Sequence, residues 1–141
     1  MKTKLTQCKT ITTYDKKGME NGSVIELIKD GDKTTLYITT IKPGRFKGYH
    51  IHKRRTNKFT CIKGSLEIYV YDPNTQRDLK LGMDAEYPEV LTIPPNLAIG
   101  IENLGFTDGW LLNFPDPAYD PNDKDEQRNF ERRGKYEKSG E

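Results

Sequence analysis

Two histidines separated by a single residue are the side chains of this sequence best suited to chemistry. His50 and His52 occur in the segment GYHIHK at residues 48–53, and the chain contains no other histidine. On a β-strand, residues i and i+2 point to the same face, so both imidazoles would enter one space. Because histidine titrates near neutral pH, the pair suits either metal binding or proton transfer. The surrounding residues, and the elements that hold the pair, must decide between the two.

A basic stretch surrounds the histidine pair. No acidic residue occurs between residues 33 and 63, although the net charge of the chain is only +2. A local positive field of this kind favours an anionic ligand, and the fork of an arginine suits a diphosphate. The alternative is a solvated sheet edge whose lysines oppose aggregation. The candidate substrate-binding cations are Arg45, Lys47, Arg54, Arg55 and Lys58.

The length and composition of the chain indicate a single small domain. It has 141 residues, of which 33% are hydrophobic and 31% charged, so the core is modest and the surface strongly polar. A net charge of +2 is too small to indicate general nucleic-acid binding. No apolar run approaches transmembrane length, and residues 1–5 lack an apolar signal-peptide region, so we expect a cytoplasmic protein with no membrane partner. Cys8 and Cys61 are isolated and form neither a disulfide framework nor a zinc motif.

Short apolar segments fill the chain as far as Phe114 and are separated by turn sequences. Several alternate with a period of two, so that Leu66, Ile68 and Val70 share one face. This pattern predicts an all-β sandwich or barrel over residues 1–121. Residues 122–141 are highly charged, and we expect a partly helical or disordered tail there. The apolar segments predicted to be strands are 24–28, 36–41, 59–62, 66–71, 90–93, 97–101 and 110–114.

Two blocks of the sequence have the layout of the two cupin motifs. The first is GRFKGYHIH at residues 44–52, followed by the turn glycine Gly64, and the second is IPPNLAIGIEN at residues 93–103. The chain resembles the cupins, whose single-domain fold is a double-stranded β-helix, or jelly roll. In metal-binding cupins the first motif supplies two histidines and a glutamate, and the second supplies another histidine. Here the glutamate position reads Thr56-Asn57 and the second-motif histidine is Ile99, so we expect no metal and no other cofactor.

The metal-free, RmlC-like branch of the cupins is the closer resemblance. Residues 91–105 and 113–121 resemble blocks of the dTDP-4-dehydrorhamnose 3,5-epimerases, and KGYH at residues 47–50 resembles their Arg-Gly-Leu-His, whose histidine is the general base. The His-x-His-Lys form looks more like the sugar 3,4-ketoisomerases, which act on dTDP-4-keto-6-deoxyglucose. The resemblance implies that Lys58 contacts substrate and points to Tyr119 as a catalytic residue. Asn113 takes the position of the epimerases' tyrosine acid, and Ile68 that of the carboxylate partnering their histidine.

The resemblance implies a metal-independent isomerase or epimerase of a nucleotide-linked 4-keto-6-deoxy sugar, with dTDP as the nucleotide, in deoxysugar and polysaccharide biosynthesis. His50 would remove a proton next to the ketone, and His52 would share in the proton transfers. Tyr37 and Tyr49 are candidates for stacking on the base or donating a proton, although a half-buried sheet also favours tyrosine. The alternatives are a non-catalytic cupin that binds a sugar or a protein partner, and a metal-dependent cupin enzyme. Because a small sheet-rich chain has edges to cover, we expect a homodimer.

Overall fold

The fold consists of β-strands joined by turns. The computed structural model describes residues 3–30, 34–117, 122 and 127–132, and within them it contains eleven strands and no helix. None of the described residues therefore belongs to a helix that could span a membrane. The strands are β1 (Lys9–Tyr14), β2 (Glu20–Asp30), β3 (Thr34–Ile41), β4 (Phe46–His52), β5 (Asn57–Lys63), β6 (Ser65–Asp72), β7 (Arg77–Asp84), β8 (Leu91–Ile93), β9 (Ala98–Glu102), β10 (Gly109–Asn113) and β11 (Gln127–Asn129).

The strands form two antiparallel sheets. Sheet I has the order β1-β2-β3-β10-β5-β8, and sheet II has the order β11-β4-β9-β6-β7. Hairpins join β1 to β2, β2 to β3 and β6 to β7, whereas β10 lies between β3 and β5, and β9 lies between β4 and β6. This exchange of strands between two sheets is the layout of a jelly roll.

The apolar core lies between the two sheets. On β6, Leu66, Ile68 and Val70 are buried together in this core, as their alternation predicts. Tyr69 joins a second buried cluster, with Tyr49 and others, on the opposite face of sheet II. Burial of one large aliphatic side chain contributes about 1.5–3 kcal/mol. The remaining members of the first cluster are Ile41, Phe59, Cys61, Met83, Ile93, Ile99, Ile101 and Leu111.

All seven predicted strand segments correspond to strands of the structure, namely β2, β3, β5, β6, β8, β9 and β10. The histidines lie on a strand, β4, as their spacing predicts, whereas β1 and β7 were not predicted. The structure differs from the expectation at residues 127–129, which form β11 and pair with β4 instead of being helical or disordered. Apart from Asn122 and residues 127–132, the predicted tail lies outside the described residues.

A bulge in β4 determines the direction of the Lys47 side chain relative to the two histidines. Lys47 pairs with Ile101 and His50 pairs with Ile99, so two residues of β4 stand opposite Gly100 alone. One of the two is Gly48, whose φ of +132° favours glycine, and a Cβ atom there would lie 2.6 Å from the carbonyl oxygen of Ile99. The bulge turns Lys47 to the same side of sheet II as the two histidines.

Candidate active site

A cavity of about 1080 Å³ contains the histidine pair. One side is formed by Lys47, His50 and His52 of β4, which we call the histidine face. The other side belongs to sheet I and carries Tyr37 of β3, Asn57 of β5 and Asn113 of β10, which we call the amide face. The two sheets thus bring two different sets of polar side chains to one space. We call the part of the cavity that is lined by Tyr14, Lys16, Lys17 and Arg45 the cavity mouth.

The imidazole of His50 is largely withdrawn from water. This burial lowers its pKa below the ordinary value of 6.5; a hydrogen bond with the side chain of Asn129 opposes the shift, and the positive charge of Lys47 adds to it. Its Nδ1 atom is buried and has no hydrogen-bond partner among the residues that the structure describes. At neutral pH the ring is therefore uncharged and able to accept a proton.

Lys47 places an amine beside His50 in the same cavity. Its Nζ donates hydrogen bonds to the backbone oxygen of Ser23 at 3.0 Å and to Oγ1 of Thr39 at 2.9 Å. Both acceptors are neutral, and burial lowers the pKa of Lys47 from 10.5 to about 8. At pH 7 about nine-tenths of such amines are still protonated. Lys47 can therefore offer a positive charge to a developing anion.

The amide face is held together by one side chain. Asn113 donates through Nδ2 to the hydroxyl oxygen of Tyr37 at 2.7 Å and to Oδ1 of Asn57 at 2.9 Å. Tyr37 and Asn113 are direct partners across β3 and β10, and Asn57 and Asn113 are almost fully buried. Oδ1 of Asn113 has no partner within the described part of the chain. A ligand hydroxyl could donate to that oxygen.

The side chains that correspond to a cupin metal site do not fit a divalent ion. Of the two candidates for the glutamate position, Thr56 and Asn57, only Asn57 lines the cavity, and its Oδ1 already accepts the hydrogen bond described above. Ile99 lines the cavity but offers no donor atom. His50 and His52 therefore remain as two ligands, whereas divalent ions require three or four well-placed donors. The described residues contain no group of three or more histidine, cysteine, aspartate or glutamate side chains that could hold a metal.

Of the ten predicted site residues, the structure brings six to the cavity, leaves three outside it and does not describe the tenth. The six are Arg45, Lys47, Tyr37, Tyr49, His50 and His52. Tyr49 also packs on the outer face of sheet II, where its ring lies 5.5 Å from that of Phe46. Arg54 and Lys58 are exposed and Arg55 is buried, and none of the three lines the cavity; their contact with substrate remains a prediction. Tyr119 lies outside the described residues.

The structure locates two residues that bear on a carboxylate partner for His50. Ile68, at the position of the epimerases' carboxylate, is fully buried in the apolar core. Glu102 is buried on the other side of sheet II, where the hydroxyl of Tyr69 donates to its Oε1 at 2.9 Å. Neither residue lines the cavity. Among the described residues, the carboxylate that comes to the cavity is Asp15, at its mouth.

Several cavity residues were not identified from the sequence. Asn57 and Asn113 were noted only as departures from family patterns, and nothing in their own chemistry marked them as a connected pair. Lys16 and Lys17 lie in the turn between β1 and β2, far in sequence from the basic stretch. Asn129 lies in the charged tail. The two adjacent lysines could have been identified from the sequence as candidate anion-binding residues, whereas the buried amides could not.

Comparisons with known proteins identify the family of this chain. Residues 17–127 match the family described as the polysaccharide biosynthesis C-terminal domain. The chain is 26% identical over 121 residues to the probable low-salt glycan biosynthesis epimerase Agl13 of Haloferax volcanii, an alignment that covers 77% of this chain and 78% of that protein.

Two solved structures have the same fold. The capsular polysaccharide assembling protein CapF of Staphylococcus aureus superposes with a TM-score of 0.74 at 28% identity; the match covers 87% of this chain and 34% of CapF, so the chain spans about a third of that protein. A dTDP sugar isomerase of Desulfovibrio desulfuricans G20 superposes with a TM-score of 0.63 at 18% identity, covering 88% and 82% of the two chains, and this likeness shows the fold alone.

These findings confirm the predicted cupin jelly roll and support a sugar-modifying enzyme. The family match extends over most of the chain, and the structural matches cover nearly all of it. The chain has the cupin jelly-roll fold and belongs to the polysaccharide biosynthesis C-terminal domain family.

Proposed function

We propose that this protein is a metal-independent isomerase or epimerase of a nucleotide-linked 4-keto-6-deoxy sugar, and that His50 is its base. The observation that carries the proposal is the pairing of a titratable histidine face with a hydrogen-bonding amide face across one cavity. The name of the Agl13 relative, an epimerase of glycan biosynthesis, supports the same class of reaction.

The first step is removal of a proton from the carbon next to the ketone. His50 suits this role because its imidazole is uncharged at neutral pH and its Nδ1 has no partner among the described residues. The electron pair released from the C–H bond moves to the ketone oxygen and gives an enolate. The protonated amine of Lys47, in the same cavity, can stabilise that oxygen.

The second step returns a proton, and its position decides the product. Delivery to the same carbon from the opposite side inverts the centre, which is epimerisation. Delivery to the former carbonyl carbon, with transfer of the neighbouring hydroxyl's proton to the enolate oxygen, moves the carbonyl to that neighbouring carbon and is ketoisomerisation. The hydroxyl of Tyr37 on the amide face is the candidate for the first outcome. His52, which lies on the same face as His50, is the candidate for the second.

The cavity mouth is suited to the charged part of a nucleotide sugar. Lys16, Lys17 and Arg45 supply cations there, and Lys16 also pairs with Glu131 at 2.8 Å. We place the diphosphate at this mouth, with the sugar ring between the two faces. The nucleotide we propose is dTDP, the one implied by the sequence resemblance.

Incubation with dTDP-4-keto-6-deoxyglucose in deuterated water tests the proposal. Deuterium at one ring carbon with a moved carbonyl would indicate 3,4-ketoisomerisation, and deuterium at C3, or at C3 and C5, with inverted centres would indicate epimerisation. Parallel incubations without protein and with the His50→Asn variant measure the background exchange of the ketone. Exchange no faster than in the protein-free sample, despite saturable binding of the nucleotide sugar, would identify a binding protein instead.

A further inference from the structure

The carboxy-terminal strand β11 lies directly beside the histidine pair. Gln127 pairs with His52 and Asn129 pairs with His50, with Arg128 between them. Directly paired residues of neighbouring strands point to the same face, and alternate residues point to opposite faces. Gln127 and Asn129 accordingly line the cavity, whereas Arg128 does not.

Asn129 makes a side-chain contact with the candidate base itself. Asn129 lies directly opposite His50 across β11 and β4, both side chains line the cavity, and the carboxamide raises the pKa of the imidazole as a hydrogen-bonding neighbour. Because Nδ1 of that ring has no hydrogen-bond partner among the described residues, Nε2 is the ring nitrogen open to Asn129, and Nδ1 is left for a ligand. The partner of one imidazole nitrogen determines which nitrogen carries the proton.

Residues just beyond Asn129 fix the strand in place. The backbone nitrogen of Phe130 donates to the oxygen of Tyr49 at 2.9 Å, and the Phe130 ring lies 5.8 Å from that of Tyr71. The guanidinium of Arg132 lies 3.9 Å from the centre of the Tyr71 ring and forms a two-pronged ion pair with Asp78, one N–O distance being 2.7 Å. Both side chains of this pair are almost completely buried. Such a pair is geometrically specific and less screened by salt than an exposed one.

We propose that Asn129 is a positioning residue for His50, and that the anchor formed by Phe130 and Arg132 acts through it. Asn129 orients the imidazole and selects the tautomer whose Nδ1 is free to accept the substrate proton. Without this hydrogen bond the ring can rotate and exchange tautomers, so only a fraction of molecules presents the correct nitrogen. The consequence is a lower kcat with little change in KM, because Asn129 acts on the base and not on the bound nucleotide.

Nitrogen-15 NMR of the free protein tests the proposal without any substrate. Imidazole nitrogen shifts report the tautomer, and His52 serves as an internal reference because the chain has two histidines. We expect Asn129→Leu, which removes the carboxamide at similar size, to change the His50 shifts and to leave those of His52 at their wild-type values. Asn129→Asp, which keeps an acceptor oxygen, should retain the wild-type tautomer. Wild-type His50 shifts in Asn129→Leu would overturn the proposal.

Kinetics supplies the second readout and rests on the proposed function. With dTDP-4-keto-6-deoxyglucose we expect Asn129→Leu to lower kcat by about 10- to 100-fold and to change KM by less than about 3-fold. Arg128→Ala, on the same strand but facing away from the cavity, is the matched control and should retain wild-type kinetics. Equal losses in Asn129→Leu and Arg128→Ala would mean that β11 supports only the fold, and would overturn the proposal.

The anchor is tested by combining two variants. If Arg132 acts through Asn129, Arg132→Gln should lower kcat in the wild-type background and have little further effect in Asn129→Leu. Additive losses would show that the anchor acts independently of Asn129. Thermal unfolding identifies any variant that simply fails to fold. A wild-type protein inactive on this sugar would count against the proposed function alone, because the NMR test of Asn129 still stands.

Discussion

The histidine face and the amide face enclose the same cavity but differ in what their side chains can do. The histidine face carries two imidazoles, groups that suit proton transfer, and the amine of Lys47, whose pKa burial lowers to about 8. The amide face carries two carboxamides, which do not titrate, and one phenol. Sheet II therefore carries the imidazoles and the amine, whereas sheet I carries a fixed array of amides and the Tyr37 phenol, which is the candidate for returning a proton.

The two faces also differ in how they are connected. On the amide face, Asn113 binds both of its neighbours, so loss of one member leaves buried partners unsatisfied. On the histidine face, Lys47 and His50 are held by residues outside the face, namely Ser23, Thr39 and Asn129. A change at His50 should thus alter chemistry with little effect on stability, and a change on the amide face should alter both.

The largest effect is expected from His50→Asn. General base catalysis contributes about 10²- to 10⁴-fold to rate, so turnover of the nucleotide sugar should fall by that factor while nucleotide affinity stays nearly unchanged. Product formation followed by NMR and nucleotide binding followed by calorimetry measure the two quantities. Wild-type turnover in this variant would show that His50 is not the base.

The second largest effect concerns stability and Lys47. Because burial depresses its pKa from 10.5 to about 8, the unfolded chain binds more protons than the folded one between these values. Below pH 8 the amine is charged in both states, so the folded protein carries the full free-energy cost of burying that charge. This cost disappears as pH rises through 10.5, because the amine then becomes neutral in both states. Relative to Lys47→Met, which has no such penalty, wild-type stability should rise by about 3 kcal/mol over this interval.

Urea denaturation of both proteins at pH 7 and pH 10.5 measures this difference. The comparison between the two proteins cancels the titration of groups that they share. A constant difference in unfolding free energy across the interval would show that Lys47 is better solvated than its position between Ser23 and Thr39 indicates.

Most of the fold and part of the site could be predicted from the sequence. Alternation identified the strands because one face of each is buried, as at Leu66, Ile68 and Val70. The i, i+2 spacing was enough to place His50 and His52 in one cavity. Strand β11 could not be predicted because it has no apolar alternation, and its position depends on pairing with β4 and on the Arg132 ion pair.

The amide face could not be predicted because its contacts join distant parts of the chain. Asn113 contacts residues 56 and 76 positions away, and neutral amides leave no mark in charge or hydropathy. The same limit applies to the cavity mouth. The turn that carries Lys17 reaches Arg45 only after β1 and β2 have paired. A basic run in the sequence is therefore a weaker guide to the anion site than cations that converge in the fold.

A moderate effect is expected from Tyr37→Phe, which removes only a hydroxyl from the amide face. If this phenol returns the proton from the opposite side, product formation should fall by about 10- to 100-fold while exchange of substrate deuterium with solvent continues. Tyr87→Phe, an exposed tyrosine outside the cavity, is the control. If His52→Asn and not Tyr37→Phe separates exchange from product, both proton transfers occur on the histidine face, as expected for a ketoisomerase.

The smallest effect is expected at the cavity mouth. Arg45→Ala and Lys17→Ala should each weaken dTDP binding about 2- to 5-fold, because a partly exposed charged contact contributes only about 0.5–1 kcal/mol. Both effects should shrink as salt rises from 50 to 500 mM. Lys53→Ala, an exposed cation outside the cavity lining, controls for a general loss of positive charge.

The same titration decides between the cavity mouth and the basic run that follows β4. Arg54→Ala removes a cation that the sequence predicts to bind substrate but that does not line the cavity. If Arg54→Ala weakens dTDP binding more than Arg45→Ala does, the diphosphate lies over the basic run, and the sugar must enter past the end of β4. If the order is reversed, the charges that bind the nucleotide come from both sheets, as do the two faces that surround the sugar.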